Sequence, residues 1–360
     1  MLNQDQIQQL NKLEENTHHT EFKQLAERMT SQGINVEGVL NQLKNFQVAI
    51  PSWALGSGGT RFGRYLFGGA PRNLFEKIED VGLLHQLTAN ADSISLHIPW
   101  DIPKDITAIK EAASAYKLRF DAVNSNTFQD QVDQQYSYKF GSLSHVEKEV
   151  RAQAIAHNKE VIQLGTALAS KSITVWLADG SNFPGQNNFQ TALEHTQNSL
   201  QQITHALPDD WKIFIEYKPY EPHFYSTVIQ DWVTSFLLAN ACGPKAFTLV
   251  DLGHHLPNTN IEQIVATLMM QGKLGGFHFN DSKYGDDDVT VGSIQPYKLF
   301  LIFNELVHGM AKNTNNPHLS WMIDASHNTK DPLEDLLQSL DAILEAFAKA
   351  LLVDQTALKQ

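Results

Sequence analysis

Ile213-Phe214-Ile215-Glu216, Thr248-Leu249-Val250-Asp251, Gly276-Phe277-His278-Phe279 and Trp321-Met322-Ile323-Asp324 are four short apolar runs, each carrying a potential metal ligand at or near its end. Runs of this length, rich in β-branched and aromatic residues, read as buried strands. A carboxylate or imidazole in such a place is costly to bury unless it is paired or coordinated. Taken singly, each residue could serve a helix cap or a loop hydrogen bond. Taken together, Glu216, Asp251, His278 and Asp324 point to strands converging on one cation.

Four further strand-like runs precede these, at 47–50, 93–98, 118–123 and 173–177. Helix-like segments lie between strands at 106–116, 143–170, 189–206, 226–241, 261–271 and 296–310, and a last one at 332–352 carries apolar residues at helical spacing. Eight strands alternating with helices, with no Gly-x-Gly-x-x-Gly turn after the first, predict an α/β protein built as a (β/α)₈ barrel and not as a doubly wound sheet. Residues 1–44 read as at least two helices, broken at Ser31-Gln32-Gly33-Ile34-Asn35, available for packing or oligomer contacts. No repeat or Pro/Ser/Gly-rich linker divides the chain, so one domain over 1–360 is expected, with 1–44 as an N-terminal helical extension.

With 360 residues, 42% of them hydrophobic, the chain can bury a large core. Its net charge of −13 disfavours nucleic acid and anionic membranes, which call for a basic face. Cys242 is the only cysteine, so no intrachain disulfide is available. The start Met1-Leu2-Asn3-Gln4-Asp5-Gln6 lacks the pattern of a signal peptide, and no apolar stretch approaches the ~20 residues a bilayer span needs. A cytoplasmic enzyme acting on a small molecule is the expectation.

In a (β/α)₈ barrel the active site lies where the strands' C-terminal ends meet, which is where Glu216, Asp251, His278 and Asp324 fall. Three carboxylates and one imidazole suit Mn²⁺ or Mg²⁺, with Co²⁺ acceptable, better than a thiolate-type zinc site. A second set follows. His254 comes three residues after Asp251, and in Asp286-Asp287-Asp288 the alternate side chains of Asp286 and Asp288 can grip one cation while Asp287 faces water. The competing use of that run is an acidic surface loop. Glu216 could bridge both ions. Lys218, two residues after Glu216, falls on the same strand face and can donate to a substrate oxyanion or simply form a salt bridge. His97 ends the second strand with Trp100 after it, Trp53 follows the first strand and Trp176 lies inside the fourth; aromatic faces at a barrel mouth can stack on a small polyol, though a residue of this kind taken alone is more often core. The turn Asp179-Gly180-Ser181-Asn182 and the loop Gly56-Ser57-Gly58-Gly59-Thr60 carry weaker signals: Ser181 sits in no nucleophile elbow, and the loop lacks a phosphate-binding ending.

The motifs Glu216-Tyr217-Lys218-Pro219-Tyr220-Glu221-Pro222, Val250-Asp251-Leu252-Gly253-His254-His255, Phe277-His278-Phe279-Asn280-Asp281-Ser282-Lys283-Tyr284-Gly285-Asp286-Asp287-Asp288 and Ile323-Asp324-Ala325-Ser326-His327 resemble those of the L-rhamnose isomerases, more closely the branch with broad aldose–ketose specificity. The resemblance runs from about Ser52 to Asn328. It implies a (β/α)₈ barrel, two divalent ions, usually manganese, and a homotetramer. It also implies one ion held by Glu216, Asp251, His278 and Asp324, and another by Glu216, His254, Asp286 and Asp288.

The expected chemistry is interconversion of a monosaccharide aldose and its ketose, with hydrogen moving from C2 to C1. Because the inward carboxylates are taken as ligands, a direct hydride shift is expected over an enediol route. Lys218 would act on O1, Asp324 or a water on the hydroxyl protons, and His97 or Asp324 on ring opening. The rivals are a sugar epimerase on the same barrel, a metal-dependent phosphodiesterase of the kind acting on damaged DNA, which calls for a basic rim, and a non-catalytic sugar- or metal-binding protein.

Overall fold

The computed structural model describes residues 4–56, 70–177, 183–220, 227–313, 318–325 and 330–359. The chain opens with helices α1 (Gln4–Ser31) and α2 (Val36–Asn45), then β1 (Ala49–Pro51) and a short 3₁₀ turn at Ser52–Leu55. There follow α3 (Leu74–Thr88), β2 (Ser93–Ser95), β3 (His97–Ile98), α4 (Ile106–Ala115), β4 (Arg119–Phe120), β5 (Val123–Ser125), α5 (Lys148–Ala167) and β6 (Ser172–Val175). The second half runs α6 (Phe189–Thr204), β7 (Lys212–Glu216), α7 (Trp232–Cys242), β8 (Ala246–Asp251), α8 (Ile261–Met270), β9 (Leu274–Phe279), α9 (Pro296–Lys312), β10 (Ser320–Ile323) and α10 (Pro332–Leu351).

The ten strand segments form one parallel sheet in the order β3-β5-β6-β7-β8-β9-β10-β1-β2-β4. The eight expected strands become ten segments because two are interrupted: Leu96 separates β2 from β3, and Asp121-Ala122 separates β4 from β5. Backbone bonds continue across these breaks, from Asp121 N–H to the Ile94 carbonyl at 3.0 Å and from Asn124 N–H to the Leu96 carbonyl at 2.8 Å. The expectations include no helix between the first two strands; α3 is that helix. Helix α5 begins at Lys148, later than the expected 143, and the start of the 226–241 segment lies outside the described residues, with α7 beginning at Trp232. Among the described residues, no helix is long and apolar enough to cross a membrane.

Local sequence explains how each crossover returns to the sheet. Asn73, Asp105, Asn188, Asp231, Asn260 and Asp331 open α3, α4, α6, α7, α8 and α10, each side chain accepting an N–H of the first turn. Such caps end a loop after a strand and fix where the helix starts.

Strand alternation then sorts the apolar residues into two clusters. The larger joins strands to helices: Ile213, Ile215, Val250, Phe277, Phe279 and Ile323 pack with residues such as Phe303, Leu306, Leu340 and Phe347. Its aromatic seam includes Phe277 against Trp321 at 5.8 Å and Phe279 against Phe303 at 5.6 Å between ring centroids. The smaller cluster, Ala49, Ala122, Phe214, Phe247, Leu249 and Met322, contains no helix residue and so fills the face of the sheet turned away from the helices. Glu216, Asp251 and Asp324 lie two residues beyond Phe214, Leu249 and Met322, on that same inner face, and His278 lies between the outward Phe277 and Phe279. The inner apolar plug thus forms the floor, and the polar side chains stand on it at the strand ends.

Register is fixed tightly here. Asp251 pairs with His278, and His278 with Met322. Gly276 faces Ser320, and a Cβ on Gly276 would lie 2.2 Å from the Ser320 carbonyl oxygen. Backbone cannot yield as a flexible side chain can, so Gly276→Ala is expected to destabilise the protein by about 3 kcal/mol, the upper part of the overpacking range. A denaturant midpoint unchanged from wild type would show that β9 and β10 separate without penalty.

Candidate active site

The structure brings Glu216, Asp251, His278 and Asp324 together: one ligand atom from each lies within 4.8 Å of all the others. His278 Nδ1 is the common neighbour, 3.0 Å from Glu216 Oε1, 3.7 Å from Asp324 Oδ2 and 3.8 Å from Asp251 Oδ2. Asp251 is fully buried, Glu216 is 4% exposed and His278 5% exposed. Burial works to lower the His278 pKa, but the carboxylates of Glu216, Asp324 and Asp251 outweigh it and push it up to about 10. The Asp251 carboxyl is driven well above the usual range, first by burial and then by the charges of Glu216 and Asp324. The group of four therefore attracts positive charge.

Each member is oriented by a neighbour. Asp251 Oδ1 accepts from the Gly253 N–H at 2.8 Å and from Asn280 Nδ2 at 3.0 Å. The same Asn280 amide reaches Asp251 Oδ2 at 3.2 Å and the Asp324 carbonyl at 3.2 Å, linking two strand ends across β9. Trp53 Nε1 donates to Asp324 Oδ1 at 2.6 Å.

The second expected set is arranged differently. His254 Nδ1 lies 3.0 Å from the Tyr217 carbonyl and 3.3 Å from Glu216 Oε1, and its Nε2 lies 2.9 Å from Asp286 Oδ1. The other oxygen of Asp286 forms an ion pair with Lys218. Asp288 is close enough to Asp251 to help raise its carboxyl pKa. Asp287 is exposed and accepts the Lys283 N–H at 3.2 Å. Among the described residues, His254, Asp286 and Asp288 do not close with Glu216 into a group as compact as the first.

Lys218 is 2% exposed, and its Nζ lies 4.9 Å from the centroid of the Trp176 ring. From Trp176 an aromatic wall continues to Phe128 at 4.2 Å, then Trp100 at 6.2 Å, then His97 at 6.3 Å. Two polar atoms of this wall, Trp176 Nε1 and His97 Nδ1, are buried and have no hydrogen-bond partner among the described residues. Burial lowers the His97 pKa to about 3 against the opposing pull of Asp101, so its imidazole is neutral. Asp101 holds the backbone here, accepting from His97 N–H at 3.0 Å, Ser52 Oγ at 2.5 Å and Lys77 Nζ at 2.6 Å.

Sequence reasoning gave no role to Phe128, Asp101 or Asn280. Asn280 stood inside a quoted motif, and a polar residue directly after a strand that carries a ligand is a signal that could have found it. The turn residues Asp179-Gly180-Ser181-Asn182, the loop residues Ser57-Gly58-Gly59-Thr60, and Glu221, Pro222, Ser326 and His327 of the motifs lie outside the described residues.

Comparison with known proteins adds to this geometry. No family model matches the chain. A probable sugar isomerase of Rhizobium meliloti is 54% identical over 338 residues, covering 94% of this chain and 79% of the relative. Another of Mesorhizobium japonicum is 52% identical over 339 residues, with the same coverage of 94% and 79%. In three dimensions the chain is similar to an L-ribulose 3-epimerase, with a TM-score of 0.60 and 13% identity over 85% of this chain and 95% of that one, which is likeness of fold alone. Sharing more than half of the aligned residues along nearly its whole length, the chain is an isomerase and belongs to the family of these rhizobial probable sugar isomerases.

Proposed function

We propose that the protein is a divalent-metal-dependent aldose–ketose isomerase, acting in the cytoplasm as a homotetramer, that converts L-rhamnose to L-rhamnulose and accepts related aldoses. The observation that carries this reading is His278 Nδ1 facing three carboxylates within a group of four ligand atoms. Three carboxylates and an imidazole match Mn²⁺, with Mg²⁺ or Co²⁺ as substitutes. The choice of L-rhamnose and of a tetramer rests on the motif resemblance.

A second ion is supported by His254. The Tyr217 carbonyl can only accept, so Nδ1 carries the hydrogen and Nε2 presents a lone pair to Asp286 Oδ1 at 2.9 Å. Two acceptors at that distance repel each other, and a shared cation relieves them. Glu216, His254, Asp286 and Asp288 would hold it. The sheet is read as a closed (β/α)₈ barrel in a single domain. Supporting this, segment 93–98 pairs with β1 through β2 and with β5 through β3 once β2 and β3 are merged.

Bound divalent ions would polarise the C1 carbonyl and acidify the O2 hydroxyl. In the isomerisation the hydrogen on C2 moves with its electron pair to C1, and a proton passes from O2 to O1, so no outside oxidant or reductant is needed. Glu216, Asp251, Asp286 and Asp324 are each engaged by a donor or cationic partner. None is placed as a free base for C2, which supports a hydride shift over an enediol. Lys218 donates to O1 as charge develops there. Asp324, aimed by Trp53, handles the hydroxyl proton. His97, neutral and with no partner for Nδ1 among the described residues, serves ring opening. Trp53, Trp100 and Trp176 shield the sugar carbons from water.

One observation favours a second reading, a ketose epimerase using one ion: among the described residues only the first ligand group is compact. Incubating the Mn²⁺-loaded protein with a panel of aldoses and ketoses, with colorimetric ketose detection and NMR of products, separates the two. New ketose from L-rhamnose supports the isomerase; an epimerised ketose with no aldose conversion supports the epimerase.

Two variants test the two sites separately. Asp288→Asn is expected to weaken one ion and lower turnover with the fold intact. Asp251→Asn, at a fully buried strand end, is expected to lose metal and stability together. Two ions per subunit and normal turnover in both would remove the Asp286-Asp287-Asp288 loop from the site.

A further inference from the structure

Tyr217 and His255 belong to neither ligand set, yet both are placed against it. Tyr217 follows Glu216 at the end of β7 and is 1% exposed. Its hydroxyl meets His255 Nε2 at 2.6 Å, with the two rings edge-on and their centroids 5.3 Å apart. The protons can be assigned from the neighbours. His255 Nδ1 lies 3.3 Å from the Leu252 carbonyl, which can only accept, so Nδ1 bears the hydrogen and Nε2 accepts from the tyrosine hydroxyl. The backbone carbonyl of Tyr217 takes the Nδ1 hydrogen of His254 at 3.0 Å. Tyr217 therefore grips two consecutive histidines, His255 with its hydroxyl and His254 with its carbonyl.

The geometry points to Tyr217 and His255 as a positioning pair that fixes the tautomer and aim of His254 Nε2, and through it the affinity of one metal ion. This rests on the two-ion reading above. Among the described residues, the other polar ties from the loop after β8 to the end of β7 run through His254 itself, to the Tyr217 carbonyl and Glu216 Oε1, so without the side-chain bond His254 gains freedom to turn. Partners that orient a ligating histidine typically alter metal affinity by roughly 10- to 100-fold. His255 meets Asp251 only at its backbone, and the observed bonds of Tyr217 and His255 do not reach the ligating side chains of Asp251, His278 or Asp324, so the effect should fall on one ion and spare the other.

The test is Mn²⁺ titration of metal-free full-length protein, with unbound Mn²⁺ read by electron paramagnetic resonance and folding checked by circular dichroism. Wild type is expected to bind two ions. Tyr217→Phe and His255→Leu should each leave one binding class unchanged and weaken the other by roughly 10-fold or more. His255→Gln, which keeps an acceptor for the hydroxyl, should recover most of that loss. Unchanged binding in both Tyr217→Phe and His255→Leu overturns the inference while the two-ion reading stands, and so does equal weakening of both classes. Fewer than two ions in wild type overturns the two-ion reading and this inference with it. Should Tyr217→Phe fail to fold, the contrast between His255→Leu and His255→Gln decides the matter.

Discussion

Exhaustive chelation is expected to abolish turnover, and Mn²⁺ or Co²⁺ to restore it. The reason lies in the charge of the site. Glu216, Asp251 and Asp324 converge on His278 Nδ1. The surroundings raise the His278 pKa to about 10 and the Asp251 carboxyl well above its usual range, so the cluster as a whole draws positive charge to itself. In the chelated state Lys218 is left without the divalent charge that would polarise the C1 carbonyl beside it. Because the ions bind the folded form preferentially, Mn²⁺ should also raise the melting temperature, by an amount that grows with its concentration. Full activity in chelated protein that retains less than a trace of metal would remove the metal mechanism.

Lys218→Ala is expected to lower kcat by roughly 10²-fold or more, the scale of losing one donor aimed at developing negative charge. Lys218 is held by its ion pair with Asp286 and by the Trp176 face, so its ammonium sits in a fixed, nearly dry position. The loss should fall on kcat more than on KM, since charge on O1 appears only as the hydrogen moves. The variant also leaves Asp286 without its cationic neighbour, and Lys218→Arg separates the two effects: it keeps the charge while changing its geometry. Near wild-type kcat in both variants would take Lys218 out of the chemistry.

What the sequence made legible was local. A carboxylate ending an apolar run is readable because burying it alone is so unfavourable, and the convergence of Glu216, Asp251, His278 and Asp324 follows once the strands are parallel neighbours. What stayed hidden was set by tertiary contact. Helix α3 carries Gly82 in its middle, a residue that weakens a helical pattern; here the place of a Cβ is taken by the Tyr116 ring, 2.4 Å away. The interruptions at Leu96 and at Asp121-Ala122 break the pairing of runs whose composition reads as continuous strand. The bond from Trp53 to Asp324 spans 271 residues of sequence, and the Asn280 amide joins Asp251 to Asp324 across an intervening strand. No periodicity or spacing carries such information.

The most direct measurement is the fate of the C2 hydrogen. L-rhamnose labelled with deuterium at C2, incubated with the Mn²⁺-loaded protein and followed by NMR, is expected to give L-rhamnulose with most of the deuterium on C1. That result requires both aldose-to-ketose conversion and transfer without exchange, in keeping with the engagement of Glu216, Asp251, Asp286 and Asp324. Absence of any ketose from the aldose panel, or loss of the label to water in the first turnover, would contradict it.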